Sequence, residues 1–238
     1  MTFAQFSRRE SLSPGDICRE MLEGHRESIK TKKEHTAVRN LELILAATLA
    51  VSNQKGFQAM SMRDLSLASG LSMGALYDYF SSTEELLEMI QATGRRLTRR
   101  VLERGIEGID DPVARLTAAI RTHVYLSEAL QAWFFFSYME ARHLGEEEKE
   151  KAKQSELYTE GVLSEIIAQG QAAGVFAPLD RHLAAAMIKA MLQDWYLKRW
   201  KYAGRRVGVD RYADFVVQMA LSFCLSGGGA DASGEITL

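Results

Sequence analysis

The chain has 238 residues in which 29 Lys and Arg nearly balance 31 Asp and Glu, for a formal net charge of -2. That length suits one large domain or two smaller ones, and the balance excludes a non-specific nucleic-acid coat while permitting a locally basic face. Cys18 and Cys224 are far apart, with no CxxC pair or His cluster, and no apolar leader or membrane-length run is present, so a soluble cytoplasmic protein without a membrane partner, disulfide or zinc site is expected.

Residues 1–36 read as an extension, partly disordered. Its first 14 residues are expected to be mobile, whereas Ile17, Met21 and Leu22 fall at helical spacing and predict a short extra helix. Arg26, Lys30, Lys32, Lys33 and Arg39 follow, offset by Glu27 and Glu34. This basic run is either an arm along DNA phosphates or in the minor groove, or a solvated linker. Leu41, Ile44, Leu45, Thr48 and Leu49 then predict a helix over about 37–54, which Gly56 ends, with Phe57 filling the centre of a small domain.

Residues 61–80, SMRDLSLASGLSMGALYDYF, predict two short helices around a tight turn. Ser61 and Asp64 form a capping box, Leu65 and Ala68 face inward, Gly70 takes the left-handed turn, and Ser72 caps the second helix. Leu76 and Phe80 point that helix inward, which leaves Ser72, Met73, Ala75, Tyr77, Asp78 and Tyr79 on or near its outer surface. Such a small-residue helix start can enter a major groove, although capped helix pairs also occur in other all-α proteins.

Taken in order, Ile44-Leu45-Ala46-Ala47, Gly56-Phe57, the Ser61-Met62-Arg63-Asp64-Leu65 run, Gly70 through Phe80, and Glu84-Glu85-Leu86-Leu87 resemble the N-terminal domain of TetR-family transcriptional regulators. The likeness spans about residues 38–87. It implies an all-α protein: a three-helix helix-turn-helix DNA-binding domain at 37–81 and a helical ligand-binding and dimerisation domain at 82–225. It further implies a homodimer that leaves a palindromic double-stranded DNA operator when a small-molecule effector binds. By that resemblance Ser72, Met73, Gly74 and Ala75 approach base edges, and Arg63, Tyr77, Tyr79 and Thr83 position phosphates, with Arg39 in the basic run beside them. Thr83 stands where the family often has a lysine, which removes a charge from that contact.

Further along, Ser82 and Glu85 predict a second capping box opening a helix to about residue 104, whose Arg95, Arg96, Arg99 and Arg100 form a solvated face or a second DNA contact. Helices are expected over about 112–128, 131–144, 146–173, 181–202 and 209–225, with the small polar tail 226–238 disordered. The last two pair with their copies in the expected dimer, with Ala184, Ala185 and Ala186 allowing close approach and Leu192, Phe215, Met219 and Phe223 at the interface; an intramolecular core would give the same spacing.

The aromatic run around Trp133, Phe136 and Met139, and the four-residue step of Met187, Met191 and Trp195, line an apolar effector pocket or pack as plain core. Lys198 and Arg199, interleaved with aromatic rings, suit the head of an acyl-CoA, and an uncharged aromatic molecule is the rival effector. Glu140 and His143 share a helix face but form a single Glu-x-x-His pair, so neither metal nor cofactor is expected. No catalytic motif is present, and the alternative to a regulator is a helical interaction protein without specific DNA binding.

Overall fold

The computed structural model describes residues 1–10 and 12–225, and its regular structure there is entirely helical. In order come α1 (Phe3–Arg9), α2 (Pro14–Gly24), α3 (Glu34–Lys55), α4 (Met62–Ser69), α5 (Met73–Leu76), α6 (Thr83–Ile106), α7 (Pro112–Ala129), α8 (Gln131–Glu140), α9 (Glu146–Ala172), α10 (Arg181–Leu197), α11 (Arg199–Gly204) and α12 (Val209–Leu225). They fall into two compact units. A reader unit holds Ala4–Arg100 and Ser127–Ser155; a C-terminal unit holds Met1–Phe3, Val101–Leu126 and the described chain from Glu156 onward. The predicted tail 226–238 lies outside the described residues.

In the reader unit, α3 buries Leu41, Ile44, Leu45, Thr48 and Val51, and the Thr48 hydroxyl returns to the Ile44 carbonyl at 2.7 Å. Helices α2 and α4 pack on it. Phe57, in a short 3-10 turn, meets the edge of the Phe136 ring with centroids 5.6 Å apart. The extension is folded here. Ser13 and Asp16 form a capping box with Pro14 at the first turn, and Ile17, Cys18, Met21 and Leu22 are buried. Ahead of them α1 occupies the stretch expected to be mobile, because Phe6 is fully buried. One aromatic in a seven-residue helix is too little for periodicity to register. Glu20 of α2 accepts from Arg100 at 2.8 Å, and Arg96 reaches the Glu20 carbonyl at 3.4 Å. Arg95 pairs with Glu148 at 2.7 Å. Arg95, Arg96 and Arg100 of α6, expected on a solvated or DNA-facing side, therefore hold the unit together.

The C-terminal unit is built on Val101, Leu116, Ile120, Val124, Ile167, Ile188, Leu192, Val216 and Ala220, all nearly inaccessible. Gly105 lets α6 approach α7, since a Cβ there would sit 2.4 Å from the Thr122 hydroxyl. The single helix expected over 181–202 is broken. Lys198, at φ -121° and ψ 37°, separates α10 from α11. Asp194 fixes the joint by accepting from Lys198 at 2.8 Å, Lys201 at 2.5 Å and the Tyr202 hydroxyl. Beside it the Trp195 ring stacks on Tyr212 at 4.7 Å. Among the polar groups inside, Lys189 and the His123 ring nitrogen Nε2 lie 3.2 Å apart and are buried.

Candidate nucleic-acid interface and effector groove

Local chemistry sets the geometry of α4 and α5. The Ser61 hydroxyl accepts from the Asp64 amide at 3.2 Å while the Asp64 carboxylate accepts from the Ser61 amide at 2.8 Å. Lys55 adds an ion pair to Asp64 at 2.6 Å; this contact and then Ser61 hold its carboxyl well below the usual range. The helix stops at Gly70, φ 70° and ψ 10°, where a residue with a Cβ would be strained. Ser66 donates to the Leu71 carbonyl at 2.6 Å across the turn, and Ser72 accepts from the Ala75 amide at 3.2 Å to start α5. Leu65 and Leu76 are fully buried beneath the pair.

This leaves Ser72, Met73 and Gly74 exposed, Ala75 half-buried, and Tyr77 45% exposed at the far end. Arg39 and Arg63 are exposed on the preceding helices. Thr83 is half-buried at the start of α6, and its hydroxyl donates to Glu84 at 3.3 Å. Tyr79 departs from expectation. It is 1% exposed, and its hydroxyl is buried without a hydrogen-bond partner among the described residues. After Leu76 the chain leaves the helix, the Tyr79 amide donates to the Leu76 carbonyl at 2.9 Å, and the ring turns in beside the buried Phe80. The second capping box is likewise shifted: the Glu85 amide donates to the Ser82 hydroxyl at 3.2 Å, but the Glu85 carboxylate accepts from the Ser81 amide at 2.6 Å.

The residues expected to line an effector pocket fall in both units. Trp133, Phe136 and Met139 belong to the reader unit, and Met187, Met191, Trp195, Lys198 and Arg199 to the C-terminal unit. Trp133 and Phe136 are core, while Met139 is exposed. Trp195 is closed in by Tyr202 and Tyr212, with the Arg199 guanidinium 4.4 Å over its ring. Lys198 is committed to Asp194. Met187, 63% exposed, faces outward. Periodicity marked these residues as apolar without telling core from cavity.

A groove of about 320 Å³ does occur within the C-terminal unit, where Ile106, Val162 and Ile166 supply an apolar floor and Arg115, Tyr158, Glu165 and Gln169 a polar rim. The Arg115 Nη1 donates to Gln169 at 3.1 Å, and its buried Nε has no partner among the described residues. Nothing in the pattern singled out Arg115, a lone cation on a mixed helix face. Glu140 and His143 stand 3.8 Å apart, and among the described residues no third potential ligand joins them.

Apolar side chains on the packed helices α10 and α12 remain outside. Leu183 and Met187 on α10, and Phe215 and Met219 on α12, are exposed at four-residue steps, whereas Leu192, expected at the same interface, is core. Ala184 and Ala185 are buried against their own chain.

Residues 44–90 match the model for bacterial regulatory proteins of the tetR family, and residues 109–224 match the tetracycline-repressor-like C-terminal domain. The regulator HbdR of Aromatoleum sp. (strain CIB) is 24% identical over 178 residues, covering 75% of this chain and 77% of HbdR. The repressor KstR of Mycolicibacterium smegmatis is 31% identical over 103 residues, 40% of this chain and 50% of that protein. A solved tetR-family regulatory protein from Rhodococcus RHA1 superposes with a TM-score of 0.69 at 26% identity, covering 79% of this chain and 97% of that one. Two family domains matched in the family's order, over a capped helix-turn-helix and a helical C-terminal region, establish that the chain belongs to the TetR family of DNA-binding transcriptional regulators.

Proposed function

We propose that the chain is a repressor that binds a palindromic operator as a homodimer and is released by an apolar small molecule carrying an anionic head. The observation that carries this reading is α5 itself: Ser72, Met73, Gly74 and Tyr77 are exposed while Leu65 and Leu76 anchor the helix from below. Ser72 to Ala75 then address base edges, and Arg39, Arg63 and Tyr77 address phosphates, with Thr83 in a lesser part because its hydroxyl serves Glu84. The outward Leu183, Met187, Phe215 and Met219 support a two-fold interface made by α10 and α12.

The effector site is the groove between the end of α6, α7 and α9. Its floor suits an acyl or ring moiety, and the Arg115 guanidinium suits a carboxylate or another anion. An acyl-CoA fits that chemistry through its acyl end, with Arg115 taking over the part expected of Lys198 and Arg199. A ligand shifts DNA binding only by its differential affinity for the two states, so the effector must release operator as well as bind. Acyl-CoAs, free acids and uncharged hydrophobic molecules, compared by thermal shift and operator release, test this. Release by anionic members that Arg115→Ala abolishes is the expected result. Release by uncharged molecules alone, or release unaffected by Arg115→Ala, contradicts it.

A further inference from the structure

We infer that the segment joining α2 to α3 is a phosphate clamp for duplex DNA, with Lys32 and Lys33 as its contacts and Lys30 as the residue that fixes it beside α5. The inference rests on the operator-binding reading above and extends it to a part of the chain upstream of the matched family domains.

The segment is held in place at several points. Ile29 is buried, the Lys30 amide donates to the Asp78 carbonyl at 2.8 Å, and the Lys30 ammonium donates to the Tyr77 carbonyl at 3.3 Å. These carbonyls lie just past the end of α5, where a cation is electrostatically welcome. Arg26 closes the loop from the other side by donating to the Thr31 carbonyl at 2.8 Å and the Lys32 carbonyl at 3.0 Å. Upstream, α2 is tied to α6 through Glu20 and Arg100. A solvated linker needs none of these bonds. With them, the ordering cost of presenting Lys32 and Lys33 is met before DNA arrives.

Charge completes the case. Lys32, Lys33, Arg39 and Arg63 are exposed, and among the described residues none has an ion-pair partner. Two carboxylates close in sequence to these cations are themselves paired, Asp64 with Lys55 at 2.6 Å and Glu34 with Arg19 at 3.7 Å. Lys32 and Lys33 also precede the first turn of α3, where the helix dipole disfavours cations, so local helix stability does not account for them. A polyanion running past Tyr77 and the start of α3 does.

The test is a titration of the full-length protein against its selected operator duplex by fluorescence anisotropy at several salt concentrations between about 50 and 200 mM. The double variant Lys32→Ala/Lys33→Ala is expected to weaken binding at least roughly tenfold and to flatten the dependence of log K on log salt by about one for each lysine lost, about four over the two protomers. The bases preferred in selection stay the same, because phosphate contacts carry no base information. Lys32→Arg/Lys33→Arg keeps the wild-type slope, which separates charge from folding. If the wild type binds a specific duplex and the alanine pair leaves affinity and slope unchanged, the clamp is wrong and the operator reading stands. If the wild type binds no duplex, both fail.

Discussion

Two tyrosines two positions apart separate surface chemistry from core at the end of α5. Tyr77 is exposed and Tyr79 is sealed. Truncating Tyr77 to alanine should weaken operator binding by about 1–3 kcal/mol with little change in melting temperature. Tyr79→Phe should leave DNA binding as it is and raise stability by up to about 1 kcal/mol, since it removes a buried hydroxyl that lacks a partner. Loss of operator affinity in Tyr79→Phe would show that the ring is not sealed in solution. The caps at Ser61, Asp64 and Ser72 were legible because a cap is a local bargain between one side chain and amides three residues on. The inward turn of Tyr79 was not, because it depends on where the helix lets go.

The buried pair His123 and Lys189 gives a pH dependence with a defined sign. Burial, and then Lys189, hold the His123 imidazole well below its ordinary value, while burial pulls the Lys189 ammonium down to about 8 against the opposing Glu156 and Glu160. The unfolded chain therefore binds a proton at His123 that the folded chain refuses, and stability falls as pH drops below about 6.5. The slope for one such group is about 1.4 kcal/mol per pH unit. His25, also lowered by burial, adds in the same direction. Melting temperatures from pH 7.5 to 5 should fall less steeply in His123→Leu than in the wild type; equal slopes would show that His123 is protonated inside the fold.

At the scale of elements, the turn at Gly70 depends on a left-handed backbone, φ 70° and ψ 10°. Gly70→Ala forces a Cβ into the left-handed region and should destabilise the protein by about 1–2 kcal/mol, read as a lower denaturation midpoint. No change would mean that the turn relaxes to another conformation. Most helices were legible from periodicity, and α12 has the predicted bounds. The break after α10 was hidden because the 195–202 stretch continues a helical pattern, while Asp194, reaching forward to Lys198, Lys201 and Tyr202, and the Trp195, Tyr202 and Tyr212 rings hold a joint instead. Long-range side-chain packing decided that point, and local propensity could not. The same holds for α1, fixed by the burial of one aromatic and by the Phe3 amide donating to Asp210 at 2.8 Å.

For the whole molecule, the proposed function requires a homodimer. Phe215→Asp combined with Met219→Asp places two charges on exposed apolar positions of α12 and should convert a dimer into a monomer in sedimentation, with operator affinity lost alongside and helix content retained. A wild type that is already monomeric would remove the proposed interface. Sequence reading put Leu192, Phe215 and Met219 on one expected interface and Met187 in a pocket; Phe215, Met219 and Met187 are exposed, whereas Leu192 is core. A four-residue apolar step repeats alike on a core face and an interface face. Only the packing of α10 on α12 distinguishes them.

The central claim, that α5 reads base edges in a two-fold operator, is tested most directly by selecting bound duplexes from a random pool with the wild-type protein, Met73→Ala and Tyr77→Ala. The wild type should enrich two inverted half-sites separated by about one helical turn or a modest multiple. Met73→Ala should change the preferred bases within each half-site, and Tyr77→Ala should lower recovery while keeping the same bases. An unenriched pool, or base preferences indifferent to Met73, would contradict the account.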